Sequence, residues 1–384
     1  MKKILAVTGI RSEYFILQPI FEELTKRNDI RLKVVVTGTH LSPLHGNTYK
    51  LIENDGYNLI KLETLLSSDL LSGRCKSVGI QLMGLTDIVL REKPDWLMVL
   101  GDREESITTA TVGTYMNIPV AHICGGDRVV GNIDDSVRHA VTKLAHLHFP
   151  TTRENGDRIL KMGEEPWRVN VVGNPALDSI RKQENLSYDY INNRLGTNLK
   201  EEKPFILLIK HPLSSEIEEA ENQMRVTLEA VSELGYSTII TYPNSDAGGY
   251  DMIRVIKEFE RKYSFIKAFE TLPRDIFVNL QRKAALLLGN SSSGILEAPF
   301  LKLPVVNVGN RQKQRQHAEN IIFVPHEKEK IKESIEKAIF DKDFIELCKN
   351  CINPYGDGYS GERIARIIAE TEINNELINK QIIY

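Results

Sequence analysis

The chain contains no apolar stretch of about 18 residues, so no segment reads as a membrane-spanning helix. The apolar run after Met1-Lys2-Lys3 stops within a few residues, too short for a secretory signal. Cysteine is scarce: Cys75, Cys124, Cys348 and Cys351 are the only four in 384 residues. So few fit a reducing compartment and build no disulfide framework, and a cytoplasmic protein is expected. Cys348 and Cys351 form one C-x-x-C, expected on a helix, and neither a second pair nor a nearby histidine completes a zinc site. A basic field is missing as well. At a formal net charge of −3 the chain offers nucleic acid no general attraction, so a polyanionic ligand must be held locally. No strand end carries G-x-G-x-x-G, which argues against a nicotinamide or flavin dehydrogenase. Internal repeats and low-complexity tracts are absent too.

What is present is an ordinary globular composition, 41% hydrophobic and 26% charged, over a length beyond the usual reach of one core. Two α/β domains are predicted. Strand-like runs at Ile4–Thr8, Leu32–Thr37, Trp96–Leu100, Pro119–Ile123 and Val169–Val172 alternate with helical patterns at Tyr14–Thr25, Gly79–Arg91, Ser106–Met116 and Asp135–Ala145. A second series has strands at Phe205–Ile209, Tyr236–Thr241, Phe265–Ala268, Ala285–Leu288 and Val305–Val308. Its helices are Glu216–Leu234, Tyr250–Lys262, Arg274–Arg282 and Lys330–Ile339. The polar stretch Lys182–Lys203 lacks an apolar period and reads as the linker. Such alternation implies two parallel sheets with right-handed crossovers.

Ligands of open α/β sheets bind beyond the carboxyl ends of strands, so chemistry is sought there. The richest end is Leu288-Gly289-Asn290-Ser291-Ser292-Ser293-Gly294, where an apolar strand breaks into small polar residues and a helix is expected at once. Free N–H groups and hydroxyls would suit a phosphate, with Glu297 on the first turn or so placed for a ribose; an ordinary serine-capped helix reads equally well. Other strand ends carry Arg11, His40, the pair Asp102-Arg103, Asp127, Asp134, His211, Asn244 and Arg311. Each has a plainer reading. Asp134 would cap its helix, Asp102 would pair with Arg103 or Arg138, and His211 before Pro212 would be a turn histidine. Together, carboxylates from the first half and histidine, serines and arginine from the second suggest acid–base chemistry with an anion clamp.

The chain resembles the hydrolysing UDP-N-acetylglucosamine 2-epimerases of sialic-acid and legionaminic-acid biosynthesis. The motifs carrying this are Thr8-Gly9-Ile10-Arg11-Ser12-Glu13-Tyr14, Gly101-Asp102-Arg103, Ile133-Asp134-Asp135-Ser136-Val137-Arg138-His139-Ala140, Lys210-His211-Pro212, Pro243-Asn244, Gly289-Asn290-Ser291-Ser292 and Gly309-Asn310-Arg311-Gln312. The resemblance implies two Rossmann-like domains with an interdomain cleft, as in GT-B folds. The first would be 1–181, with a helix at about 359–371 crossing back, and the second 204–355. It implies neither metal nor redox cofactor, a homodimer or homotetramer, and a nucleotide-sugar substrate. The reaction implied converts UDP-N-acetylglucosamine to N-acetylmannosamine and UDP, by elimination to a 2-acetamidoglucal and then hydration. The alternatives are the same chemistry on a UDP- or GDP-linked 2,4-diacetamido-2,4,6-trideoxyhexose, a non-hydrolysing epimerase, a GT-B glycosyltransferase and a non-catalytic nucleotide-sugar-binding regulator. The opening Thr8-Gly9-Ile10-Arg11-Ser12-Glu13 and Gly101-Asp102-Arg103 favour the hydrolysing type.

By motif position the resemblance makes Asp102, Asp134 and His211 catalytic. It gives Arg11, Asn244, Ser291, Ser292, Glu297 and Arg311 to the nucleotide, and His40 and Arg103 to the substrate. Two departures stand out. Cys124 occupies a position where many relatives carry a catalytic glutamate, so either Asp127 takes its place or Cys124 only packs. Phe15-Ile16 stands where the animal enzyme continues with serine and lysine, which removes polar groups beside the first loop.

Overall fold

Runs of consecutive Val, Ile and Leu become parallel strands buried on both faces, as all-parallel sheets require. The computed structural model describes residues 1–66, 71–128, 133–243, 248–313 and 315–383. The chain divides into two units: Met1–Arg181 with Tyr355–Tyr384, and Lys182–Pro354.

Unit 1 carries β1 (Lys2–Thr8), β2 (Ile30–Val36), β3 (Leu59–Lys61), β4 (Trp96–Leu100), β5 (Val120–Ile123) and β6 (Leu147–Phe149), ordered β3-β2-β1-β4-β5-β6. Its helices are α1 (Arg11–Thr25), α2 (Tyr49–Asn54), α3 (Leu71–Glu92), α4 (Glu104–Tyr115), α5 (Ile133–Leu144), α6 (Arg153–Lys161) and α7 (Ala176–Lys182). Unit 2 adds α8 (Tyr188–Leu195), β7 (Phe205–Ile209), α9 (Ala220–Leu234), β8 (Ser237–Thr241), α10 (Gly249–Lys262), β9 (Ile266–Phe269), α11 (Arg274–Lys283), β10 (Leu286–Gly289), α12 (Ser293–Leu296), β11 (Val305–Val308), β12 (Ile321–Val324), α13 (Lys328–Phe340) and α14 (Lys342–Asn350). Its sheet runs β12-β11-β10-β7-β8-β9, so each unit repeats one strand order and both are Rossmann-like. In each, the order reverses between the first and fourth strands: β1 beside β4, and β7 beside β10. A crevice opens at the carboxyl ends of such strands.

Each sheet is covered by two apolar layers. Leu17, Phe21 and Trp96 anchor one side of the first sheet, and Leu85, Leu97 and Val141 the other. Met224, Ile256 and Phe259 sit on one side of the second, and Ile276, Leu280 and Phe205 on the other.

The chain ends in unit 1 through α15 (Ser360–Glu370) and α16 (Asn375–Ile378). Asp178 caps α15, its carboxylate accepting the N–H groups of Ser360 at 3.0 Å and Gly361 at 2.7 Å. Lys380 serves the other polarity. Its ammonium donates to the carbonyls of Lys143 and Ala145 at the end of α5 and pairs with the buried Glu164.

The structure corrects several sequence expectations. Val169–Val172 is not a strand: β6 takes that sheet position, and Val169 makes one isolated bridge to His148. The polar stretch read as linker contains α8, which buries Ile191 completely. The helix predicted to begin at Glu216 starts as a 3-10 segment, Ser214–Glu219, and becomes α-helical at Ala220. Cys348 lies on α14, whereas Cys351 lies just past it. Among the described residues, no helix is long and apolar enough to cross a membrane.

Candidate active site

At the switch point of unit 1, β1 ends in Thr8-Gly9 and β2 in Thr37-Gly38, and both glycines are explained by one side chain. The carboxyl of Glu105, from the first turn of α4, fills the space a Cβ on Gly9 would occupy, and it lies 2.7 Å from where a Cβ on Gly38 would stand. Beside β1, β4 ends at Gly101-Asp102-Arg103. The turn is pinned by His122 of β5, whose Nε2 is 2.8 Å from the Gly101 carbonyl and must donate to it. Burial pushes His122 down to about 3, so the ring stays neutral in that role.

Asp102 and Asp127 are brought together on one cation. Arg138, buried on α5, is ion-paired with Asp102 and lies 3.7 Å from Asp127. It also lies 3.5 Å from the Cys124 carbonyl. Asp134 stands one helical turn before Arg138, hence on the same face of α5. The sequence offered Arg138 only as one possible partner of Asp102; here it is the centre of the group. Cys124 packs against the first core, and burial pushes its thiol up to about 12, which keeps it neutral. Its φ of 58° is one that residues other than glycine rarely adopt.

His40 and Arg103 differ in availability. His40 is fully buried, with Nε2 3.2 Å from the Thr8 hydroxyl and Nδ1 2.8 Å from that of Thr48, so both ring nitrogens are occupied within the chain. Arg103 is half-buried, with Nε 3.5 Å from Glu105 and Nη2 3.7 Å from Glu104. Arg11, at the start of α1, lies over the Phe15 ring at 5.2 Å. Both line a cavity of about 500 Å³ together with Ile10, Ser12, Thr39, His45 and Thr48.

Unit 2 builds its switch point from amides. Asn290, just past β10, donates through Nδ2 to the His211 carbonyl at 2.9 Å and accepts the His211 N–H at 2.7 Å. This two-bond clasp fixes the backbone of His211 at the end of β7. The carbonyl of Asn290 also accepts from Arg311 at 3.2 Å and Gln312 at 3.1 Å, so one residue joins the ends of β7, β10 and β11. A side chain on Gly289, whose φ is 129°, would run into the Ile209 carbonyl. Behind His211, Lys210 is fully buried and donates to the Gln223 carbonyl, the Thr227 hydroxyl and His326 Nδ1. Burial pushes it down to about 7.

The serine loop differs from expectation. α12 is only four residues long, and the amides of Ser293, Gly294 and Ile295 are taken by Ser291 Oγ, the Ser291 carbonyl and the Ser292 carbonyl. An i→i+3 turn thus consumes N–H groups that a longer helix would have left open. Ser291 is buried and also accepts from the Ser293 hydroxyl at 2.9 Å, while Ser292 is more accessible. Glu297 closes the short helix rather than opening a long one. Its two oxygens are held by Arg274 at 2.9 Å and Gln281 at 2.7 Å. Asn244 lies outside the described residues.

Among the described residues, no three His, Cys, Asp or Glu side chains are grouped to hold a metal ion. Sequence reasoning passed over Glu105 and Asn290 as site residues. The paired Thr-Gly strand ends were the available signal for the first, and Gly289-Asn290-Ser291-Ser292 for the second.

Comparison with known proteins bears on the fold and the family. The chain is 34% identical over 381 residues to a hydrolysing UDP-N,N'-diacetylbacillosamine 2-epimerase of Legionella pneumophila, covering 99% of both chains. It is 35% identical over 323 residues to a hydrolysing GDP/UDP-N,N'-diacetylbacillosamine 2-epimerase of Campylobacter jejuni, covering 84% of each. The fold matches the UDP-GlcNAc 2-epimerase of Neisseria meningitidis, solved with UDP-GlcNAc, at a TM-score of 0.79 and 22% identity, over 96% of this chain and 100% of that one. The model of the UDP-N-acetylglucosamine 2-epimerase family matches residues 22–369, and the chain belongs to that family.

Proposed function

We propose that the protein is a hydrolysing 2-epimerase that acts on a UDP-linked 2-acetamido sugar and releases UDP and the free 2-epimer. The observation that carries this is the Asp102–Arg138–Asp127 group, two carboxylates oriented by one buried guanidinium at the ends of β4 and β5. The reaction needs a base at C2 and a second proton delivery after the nucleotide has gone. One carboxylate takes the C2 proton as the C1–O bond breaks, and the bonding pair leaves with UDP. Water then adds its oxygen to C1 of the glucal, and a proton returns to C2 on the other face. Asp102 and Asp134, with Asp127 in place of the glutamate that Cys124 displaces, are the groups assigned to these transfers.

Unit 2 is assigned the leaving group. Arg311, Ser291 and Ser292 would hold the diphosphate, where a guanidinium's fork suits phosphate. His211 is the fourth catalytic group, and Arg11 and Arg103 add positive charge toward the departing anion. Asn244 is carried with the nucleotide set. Glu297, with acceptor sites left on both oxygens beside Arg274 and Gln281, would accept the ribose hydroxyls, and His40 acts by holding Thr8 and Thr48 rather than by touching ligand.

Of the two sugars left open, the 2,4-diacetamido-2,4,6-trideoxyhexose is favoured over N-acetylglucosamine. The relatives at 34% and 35% identity carry that activity in their names. The exposed Phe15 ring and Ile10 also give the unit 1 cavity an apolar lining that suits a C6 methyl and a C4 acetamido group. Rates of UDP release from the two UDP-sugars, measured side by side, test this. A higher kcat/KM for the diacetamido sugar is expected, and a preference for UDP-N-acetylglucosamine would reverse the assignment.

A further inference from the structure

Two buried carboxyl groups at the switch point of unit 1 have no part in the chemistry above. Glu13 and Glu105 are 6% and 5% exposed and lie against the same residue, Gly9. Glu13 Oε2 accepts the Gly9 N–H at 2.9 Å and the Thr8 hydroxyl at 3.2 Å, while Glu105 fills the side-chain space of Gly9. The charges around them are few. Arg103 faces Glu105 at 3.5 Å but divides itself with Glu104, at 3.7 Å. Glu104 is in turn ion-paired with Arg74 of α3. His40, bonded to Thr8, brings no charge, because burial pushes it down to about 4. Glu105 Oε2 and Arg103 Nε are both buried and meet only as a loose ion pair, short of hydrogen-bond geometry. Two ionised carboxylates would therefore depend on the partly committed Arg103 and on Arg74, already paired with Glu104, leaving buried charge undercompensated.

We propose that Glu13 and Glu105 carry a single proton between them and act as a positioning pair, fixing Arg103 and the Gly9 and Gly38 turns beside Asp102 without touching substrate. Burial first, and the neighbouring Glu105 second, push Glu13 up to about 8. Burial also pushes Glu105 upward, against the pull of Arg103. Loss of the proton at alkaline pH sets two like charges on either side of Gly9 and loosens the loop that carries Asp102 and Arg103. The folded state then binds more protons than the unfolded chain between the ordinary carboxyl range and about pH 8, so this pair's contribution to stability falls as pH rises through that window.

The kinetic part of the test rests on the proposed reaction; the titration part does not. Full-length protein labelled with carboxyl-13C glutamate is titrated by NMR, with melting temperature and kcat/KM for UDP release followed from about pH 6 to 9.5. In the wild type, one glutamate resonance should titrate near pH 8, with melting temperature and kcat/KM declining above it. Glu105→Gln, the neutral isostere, should shift that titration away from pH 8 to lower pH and move the alkaline limb of kcat/KM upward by about one pH unit or more. Glu105→Ala should lower kcat about tenfold at pH 7 with KM within about threefold, and the glutamine should restore most of that loss. If Glu105→Gln fails to fold, Glu13→Gln gives the same comparison. No resonance titrating above about pH 6 in the wild type, or an unchanged one in the variant, overturns the proposal. A resonance near pH 8 that the variant loses, in a protein that turns over no UDP-sugar, would instead sink the proposed reaction and leave the pair standing.

Discussion

The two switch points share one strand order and are furnished in opposite ways. Unit 1 brings Glu105, Asp102 and Asp127 around Arg103 and Arg138, a crowd of ionisable side chains. Unit 2 relies more on amide and hydroxyl contacts, and its buried cation, Lys210, donates to neutral acceptors. Burial acts on both in the same sense, toward the neutral form: Glu13 rises to about 8 and Lys210 falls to about 7. The fold alone therefore does not set the chemistry; the side chains at the strand ends do. On this account unit 1 moves protons and unit 2 holds an anion.

That division is most sharply tested where it predicts the largest effect. Asp102→Asn should lower kcat by about 10²–10⁴-fold while UDP affinity stays within about threefold, read by UDP-release kinetics and calorimetry. A parallel loss of affinity would erase the distinction between the units. Arg311→Ala should do the reverse, weakening UDP binding by about tenfold to a hundredfold with kcat at saturation changed much less. Next in size is Asn290→Ala, which strips the clasp from His211 while keeping the carbonyl that Arg311 and Gln312 use. Stability should fall by about 1–3 kcal/mol in denaturant unfolding. The smallest effect is expected at Phe15→Ser, which should cut the preference for the diacetamido sugar by about tenfold with little change toward UDP itself.

The core of the architecture was legible because its strands are continuous apolar runs, as at Phe205–Ile209 and Trp96–Leu100. The strands that escaped, β3, β6 and β12, are three or four residues long and stand at or next to a sheet edge, too short for a period to emerge. Strand-end chemistry was legible as motifs, but not as partnerships. Asn290 acts on a residue 79 positions away, and Glu105 explains two glycines on other strands; neither relation leaves a local pattern. After the serine loop the helix is shorter than expected for a local reason. Ser291 and Ser292 satisfy the following amides themselves, which no count of serines reveals.

The central claim is removal of a carbon-bound proton coupled to loss of the nucleotide. It is tested most directly by incubating the protein with the UDP-linked 2,4-diacetamido-2,4,6-trideoxyhexose in D2O and following the products by proton NMR. The account predicts free 2-epimerised sugar carrying deuterium at C2, together with UDP. Free sugar that keeps its C2 proton, or epimer still joined to UDP, would contradict it.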